Sequence, residues 1–205
     1  MPAATLPAPV LAQTVHAAPR EMVQIATGRG RLVTLSAPMS DIFVANDEGR
    51  VLALDVNTGD TIWDSEAVKT GKEGSRVFFW RREKIDAGLS GSPGVGNGMV
   101  VIGGRNGEVI AFDADGGAER WRTKVTSEVT ATPLVSDGLV IVRSGDGRTF
   151  GLDAADGSRK WVFDRGLPGL GVRGNGSPVA GNGFIYLGYD DGSVIALRQA
   201  DGQRA

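Results

Sequence analysis

Residues 107–121 read GEVIAFDADGGAERW: a short apolar run, a polar turn rich in glycine, then a tryptophan. The pattern returns as GRTFGLDAADGSRKW at 147–161 and as GSVIALRQADGQRA at 192–205, and an earlier copy, GRVLALDVNTGDTIW, occupies 49–63. Apolar runs of this length that meet polar turns are strands of a packed sheet. Pro93, Pro133 and Pro178 each stand 14 residues before Gly107, Gly147 and Gly192, and between them lie further β-branched runs, Met99 to Ile102, Leu139 to Val142 and Phe184 to Leu187.

Nine glycine turns set the spacing. Asn97-Gly98, Asn106-Gly107 and Gly116-Gly117 are followed by Asp137-Gly138, Asp146-Gly147 and Asp156-Gly157, then by Asn182-Gly183, Asp191-Gly192 and Asp201-Gly202. Within each triplet the glycines lie 9 and then 10 residues apart, and the triplets recur after 40 and 45 residues. Asn-Gly and Asp-Gly suit tight hairpins, since both central residues of a type I′ turn need positive φ. Three hairpins per unit join four short antiparallel strands, which is one blade of a β-propeller. The expected fold is all-β: a partial propeller of three to four four-stranded blades over residues 48–205, with last turns near 59, 117, 157 and 202.

Trp63, Trp121 and Trp161 each follow the last glycine of their unit by four residues. A large flat side chain at one place in every blade packs against the neighbouring blade and buries on the order of 200 Å². The fourth copy calls for a tryptophan at 206, so the pattern reads as cut within a blade. Closed propellers have roughly four to eight blades. The unit is therefore expected to be part of a larger ring, or to pair with a second copy through its open edges as a homodimer.

The rhythm fails in three places. Asp64 to Ser90 is an insertion containing KEGSRVFFWRREK, where Phe78, Phe79 and Trp80 precede Arg81 and Arg82. It is either a blade connection with aromatics packed under the rim or a contact patch of the composition favoured at interface centres. Gly166 to Gly174, GLPGLGVRG, lengthens the last interval. The first 46 residues do not follow the repeat. Met1 to Ala18 is rich in alanine and proline, and residues 1–22 read as a disordered leader. VLAQTVHAA faintly resembles the tail of a signal peptide, without a basic segment before it. Val23 to Ala26 and Leu32 to Leu35 could be strands, one of them completing a blade by strand addition.

Composition narrows the chemistry. The 22 basic and 24 acidic residues give a net charge of −2 with no basic stripe, unlike a nucleic-acid binder. There is no cysteine, and His16 is the only histidine, so a cysteine nucleophile, a thiolate metal site and a histidine relay are all unprovided for. No stretch approaches the roughly 20 apolar residues that span a bilayer. Gly169 to Gly174 matches G-x-G-x-x-G, but Asn175-Gly176-Ser177-Pro178 follows it where a phosphate-binding helix should begin. Asp113-Ala114-Asp115 and its counterparts lack the spacing of a calcium loop and read as turn formers. No catalytic, cofactor-binding or metal-binding residue is expected.

The repeat A-x-D-x-x-[TD]-G-x-x-x-W, as in Ala53-Leu54-Asp55 through Trp63, resembles the pyrroloquinoline-quinone-type propeller repeat. Two families use it. Quinoprotein dehydrogenases are much longer, and their sites generally need a vicinal cysteine pair that is absent here. The BamB family, propeller lipoproteins of the outer-membrane β-barrel assembly machinery, is resembled over about residues 47–205, including the stretch around Phe78 to Ile85, residues 127–161 and GLPGLGVRGNGSPV at 166–179. In that family a leucine-x-leucine-arginine-glycine loop contacts the barrel subunit BamA. It falls here on Leu170, Val172, Arg173 and Gly174, with valine for the second leucine. Residues 23–47 instead resemble the N-terminal region of a pilus or type II secretin.

The resemblance implies a non-enzymatic scaffold, periplasmic and peripheral to the outer membrane, that supports insertion of β-barrel proteins by docking on a BamA-like subunit. Leu170, Val172, Arg173 and Gly174 would anchor it, with Phe79, Trp80, Arg81 and Arg82 as a second patch. The chain has no lipobox cysteine, and the second half of an eight-bladed ring is not in this sequence. Two other readings stand beside this one: a remnant quinoprotein oxidoreductase, and a truncated propeller without autonomous function.

Overall fold

The computed structural model describes residues 32–36, 41–46, 49–67, 88–166 and 176–205. The described residues form four antiparallel meanders. The first blade contains β1 (Leu32–Ser36), β2 (Asp41–Asn46), β3 (Arg50–Asp55) and β4 (Thr61–Glu66). The second contains β5 (Leu89–Gly96), β6 (Met99–Gly104), β7 (Glu108–Asp113) and β8 (Glu119–Lys124). The third contains β9 (Leu134–Ser136), β10 (Leu139–Arg143), β11 (Arg148–Asp153) and β12 (Arg159–Asp164). The fourth contains β13 (Val179–Gly181), β14 (Phe184–Gly188) and β15 (Val194–Arg198). Sequence order equals spatial order in every sheet.

Residues 32–46 supply two strands of the first blade, with β1 paired to β2 and β2 to β3. The expected boundary at residue 47 thus falls inside one sheet. A change of family resemblance at that point does not coincide with a change of sheet.

The nine turns are of three kinds rather than one. Only the first turn of each triplet has both central residues at positive φ, at Asn97-Gly98, Asp137-Gly138 and Asn182-Gly183. The second turns close with Gly107, Gly147 and Gly192 donating to the carbonyls of Gly104, Ser144 and Tyr189, and glycine alone has positive φ there. The third turns are one residue longer: Gly117, Gly157 and Gly202 donate to Asp113, Asp153 and Arg198. In the third turn the conserved pattern of the repeat has a local cause. The carboxylate of Asp113 accepts from the amides of Asp115 and Gly116, and that of Asp55 accepts from Asn57 and Thr58. These aspartates satisfy turn amides that the ladder leaves unpaired.

The cores lie between blades. Phe43, Ala45, Val51, Ala53 and Trp63 of the first blade pack with Val100, Ile102, Ile110 and Phe112 of the second. Val101, Val109 and Trp121 pack with Val140, Val142, Phe150 and Leu152 of the third. Ile141 and Trp161 pack with Ile185, Leu187, Ile195 and Leu197 of the fourth. β4, β8 and β12 share one burial pattern, in which the tryptophan is their one buried residue.

Each indole latches onto the next blade. The Nε1–H of Trp63 donates to Ala114 O at 2.7 Å, that of Trp121 to Ala154 O at 2.9 Å, and that of Trp161 to Gln199 O at 3.0 Å. The ring then lies on the third-turn glycine. A Cβ at Gly117, Gly157 or Gly202 would stand 2.5–2.6 Å from the indole of Trp63, Trp121 or Trp161. Glycine is thus required there twice, for its φ and for the approach of the ring.

Candidate docking surface

In a four-stranded meander the first and third turns share one end, while the second turn and the link to the next blade share the other. Backbone bonds at the linking end show this. Ala67 N donates to Gly49 O at 2.7 Å, Val125 N to Gly107 O at 2.8 Å, and Gly145 N to Glu128 O at 2.7 Å. Both insertions that break the repeat, Asp64 to Ser90 and Gly166 to Gly174, fall at such links. Their described flanks, Ala67 and Gly88, Gly166 and Gly176, therefore lie at one end, opposite the tryptophan latches. Phe79, Trp80, Arg81, Arg82, Leu170, Val172, Arg173 and Gly174 lie outside the described residues, as does the whole G-x-G-x-x-G stretch, Gly169 to Gly174. Their points of attachment are described.

The first insertion starts from Ala67, which is buried. Its carbonyl accepts from Arg122 Nη2 at 2.7 Å, and the same guanidinium pairs with Glu119 at 2.9 Å and Glu108 at 3.5 Å. Glu119 holds the Arg122 pKa above its ordinary value, its hydrogen bond and charge outweighing burial. The insertion returns at Gly88, whose carbonyl accepts from Arg105 N.

Arg165 and Gly176 flank the second insertion: Arg165 meets side chains of the turn between β14 and β15, and Gly176 meets the Arg143 side chain of β10. Arg165 Nη2 donates to Asp191 Oδ2 at 2.5 Å and to Ser193 Oγ at 3.1 Å, and its guanidinium carbon lies 3.8 Å from the Tyr189 ring centroid. Arg143, only 3% exposed, donates from Nη1 to Gly176 O at 2.6 Å and Gly188 O at 2.9 Å. Its guanidinium carbon lies 4.6 Å from the same ring. Burial lowers the Arg143 pKa and raises that of Tyr189. Asp191 is held at about 2, chiefly by the Ser193 hydroxyl, then by the Ser193 amide and Arg165. A cleft of about 380 Å³ runs beside Arg165, between Phe163 and residues Ser193 to Ile195, with Arg204 at its wall.

Arg143, Tyr189 and Arg165 were missed by pattern reading. A signal does exist: Arg143 interrupts an apolar run at the place held by Gly103 one repeat earlier and Gly188 one repeat later. Among the described residues no group of three or more His, Cys, Asp or Glu is placed to hold a metal ion.

A family model described as outer membrane protein assembly factor BamB matches residues 47–205. The chain belongs to this family. The outer membrane protein assembly factor BamB of Xanthomonas campestris pv. campestris is 49% identical over 162 residues, which are 79% of this chain and 38% of that protein. The crystal structure of BamB from Moraxella catarrhalis superposes with a TM-score of 0.69 at 26% identity, covering 84% of this chain and 47% of that one. The chain therefore spans less than half the length of these BamB relatives. A quinohemoprotein alcohol dehydrogenase of Pseudomonas putida is 33% identical over 87 residues, 40% of this chain and 11% of that enzyme. That match is shorter than the BamB family match, which runs from residue 47 through the second, third and fourth blades.

Proposed function

We propose that this BamB-family chain is a scaffold in outer-membrane protein assembly that docks on a BamA-type barrel subunit from the periplasmic side. Leu170, Val172, Arg173 and Gly174 form the main contact, and Phe79, Trp80, Arg81 and Arg82 form a second. The observation that supports this reading is that the described attachment points of both insertions lie at one end of the stack of blades, with Ala67 O accepting from Arg122 and Gly176 O from the buried Arg143. An apolar pair beside an arginine is the composition that anchors interfaces. A scaffold needs no reacting group, and its mechanism is surface complementarity held in fixed geometry.

The test is co-purification. Arg173→Glu reverses the charge at the centre of the main contact and leaves the blades untouched. It is expected to abolish recovery of the BamA-type subunit while the melting temperature stays within about 2 °C, as for a surface change of under ~0.5 kcal/mol. Unchanged recovery would reject the loop as the contact.

A further inference from the structure

We infer that Tyr189, gripped by Arg143 and Arg165, is a positioning residue that fastens both ends of the 166–175 connection to one aromatic ring. This rests on the proposed docking role of that connection and deepens it. Arg165 is the last side chain before Gly166, and its guanidinium lies 3.8 Å from the ring centroid. Gly176 comes immediately after the connection, and its carbonyl is held at 2.6 Å by Arg143, which itself lies 4.6 Å from the ring. Arg143 also bonds Gly188 O at 2.9 Å, next to Tyr189, so the grip extends into the backbone of the fourth blade.

The preceding link is built differently. There Val129 packs directly on Gly103, where a Cβ would stand 2.3 Å from Val129 Cγ1. At the next link the repeat interval grows from 40 to 45 residues, and the place of Gly103 is taken by Arg143, that of Val125 by Arg165, and that of Ser144 by Tyr189. Three changes thus accompany the one long link in that part of the chain, and all three side chains meet. The ring and the two guanidinium groups thus fix the described points on either side of the connection, Arg165 and Gly176, and fixed attachment points lower the ordering cost of docking without adding a contact.

The experiment uses the full chain and two readouts. Trypsin cleavage at Arg173–Gly174 is timed by mass spectrometry, and recovery of the BamA-type subunit is scored in parallel. Tyr189→Leu removes the π-face and is expected to speed cleavage about tenfold, the ratio matching ~1.4 kcal/mol of lost cation–π contact. Tyr189→Phe keeps the face and should stay within about twofold of the native rate. If Tyr189→Leu lowers the melting temperature of the whole chain, Arg165→Gln serves instead, with cleavage faster by at least about threefold, because the ring contact is lost together with the bonds to Asp191 and Ser193. Native cleavage rates in Tyr189→Leu and Arg165→Gln, or equal acceleration in Leu and Phe variants, would overturn the inference. Faster cleavage in Tyr189→Leu with unchanged recovery would leave the clamp standing and remove the docking role of the connection. Loss of recovery restored by Phe supports both.

Discussion

The third and fourth blades carry the same sequence pattern and differ in what covers them. Ile141 in β10 is fully buried, whereas its counterpart one repeat later, Tyr186 in β14, is 39% exposed. Thr149 in β11 is 1% exposed and its counterpart Val194 in β15 is 67% exposed. The fourth blade buries Ile185, Leu187, Ile195 and Leu197 against the third, while its other face, with Val179, Tyr186 and Val194, is open among the described residues. The first blade is not its mirror image, because Val44, Leu52 and Leu54, on the face turned away from the second blade, are buried too. The lesson is that a blade's hairpins are local, whereas its stability comes from its neighbours, as expected of a stack of repeats.

Several substitutions would break or sharpen that contrast. The largest effect is expected at the latch between two covered blades. Trp121→Ala should cost about 3–5 kcal/mol, read as a lower melting temperature for the chain as a whole. Trp161→Ala, at the open blade, should instead show first as faster amide exchange in β14 and β15, because among the described residues the fourth blade packs on the third alone. Similar exchange rates in all four blades would contradict the picture of separately coupled units.

A smaller difference separates the paired positions. Ile141→Ala is expected to cost about 3 kcal/mol through the cavity it leaves, and Tyr186→Ala under about 1 kcal/mol, both measured by urea unfolding. Smaller again is the glycine pair. Gly157→Ala forces a Cβ into the Trp121 ring and should cost about 2 kcal/mol. Gly138→Ala, with nothing within 4 Å of the new Cβ, should cost about 1 kcal/mol from its positive φ alone.

The smallest effect is electrostatic. Asp146 and Asp191 hold the same turn position in the third and fourth blades, and both carboxylates sit below their ordinary pKa. Burial opposes the shift at Asp146, where Ser144, Thr126 and Arg148 prevail, while Asp191 reaches about 2. A depressed carboxylate contributes stability that is present above its unfolded pKa near 4 and is lost as pH falls through the folded value. For Asp191 that window runs from roughly pH 4 down to about 2. Carboxyl NMR titration should place its midpoint near 2, and Ser193→Ala should move it upward further than Arg165→Gln does.

The blades were legible in the chain because their signals are local. Gly117 needs positive φ, Asp113 closes its own turn, and Trp121 comes four residues later, all within one hairpin. The mixture of turn types was not legible, since Asp-Gly and Asn-Gly serve both a two-residue turn and longer ones. The clamp was also out of reach. Arg143 meets Gly176 and Gly188 across separations of 33 and 45 residues, and only the stacking of two blades brings them together. Exposure at Tyr186 and Val194 escaped for the same reason, because an apolar residue in a strand says nothing about whether a neighbour lies beyond it.

The central claim is that the linking end of the propeller, and not the tryptophan end, faces the barrel subunit. Photo-crosslinking groups placed singly at Arg105 and Asp190 on the linking end, and at Asp115 and Ala200 on the opposite end, test it directly. The account predicts crosslinks to the BamA-type subunit from Arg105 and Asp190 alone. Crosslinks from Asp115 or Ala200 of equal yield would contradict it.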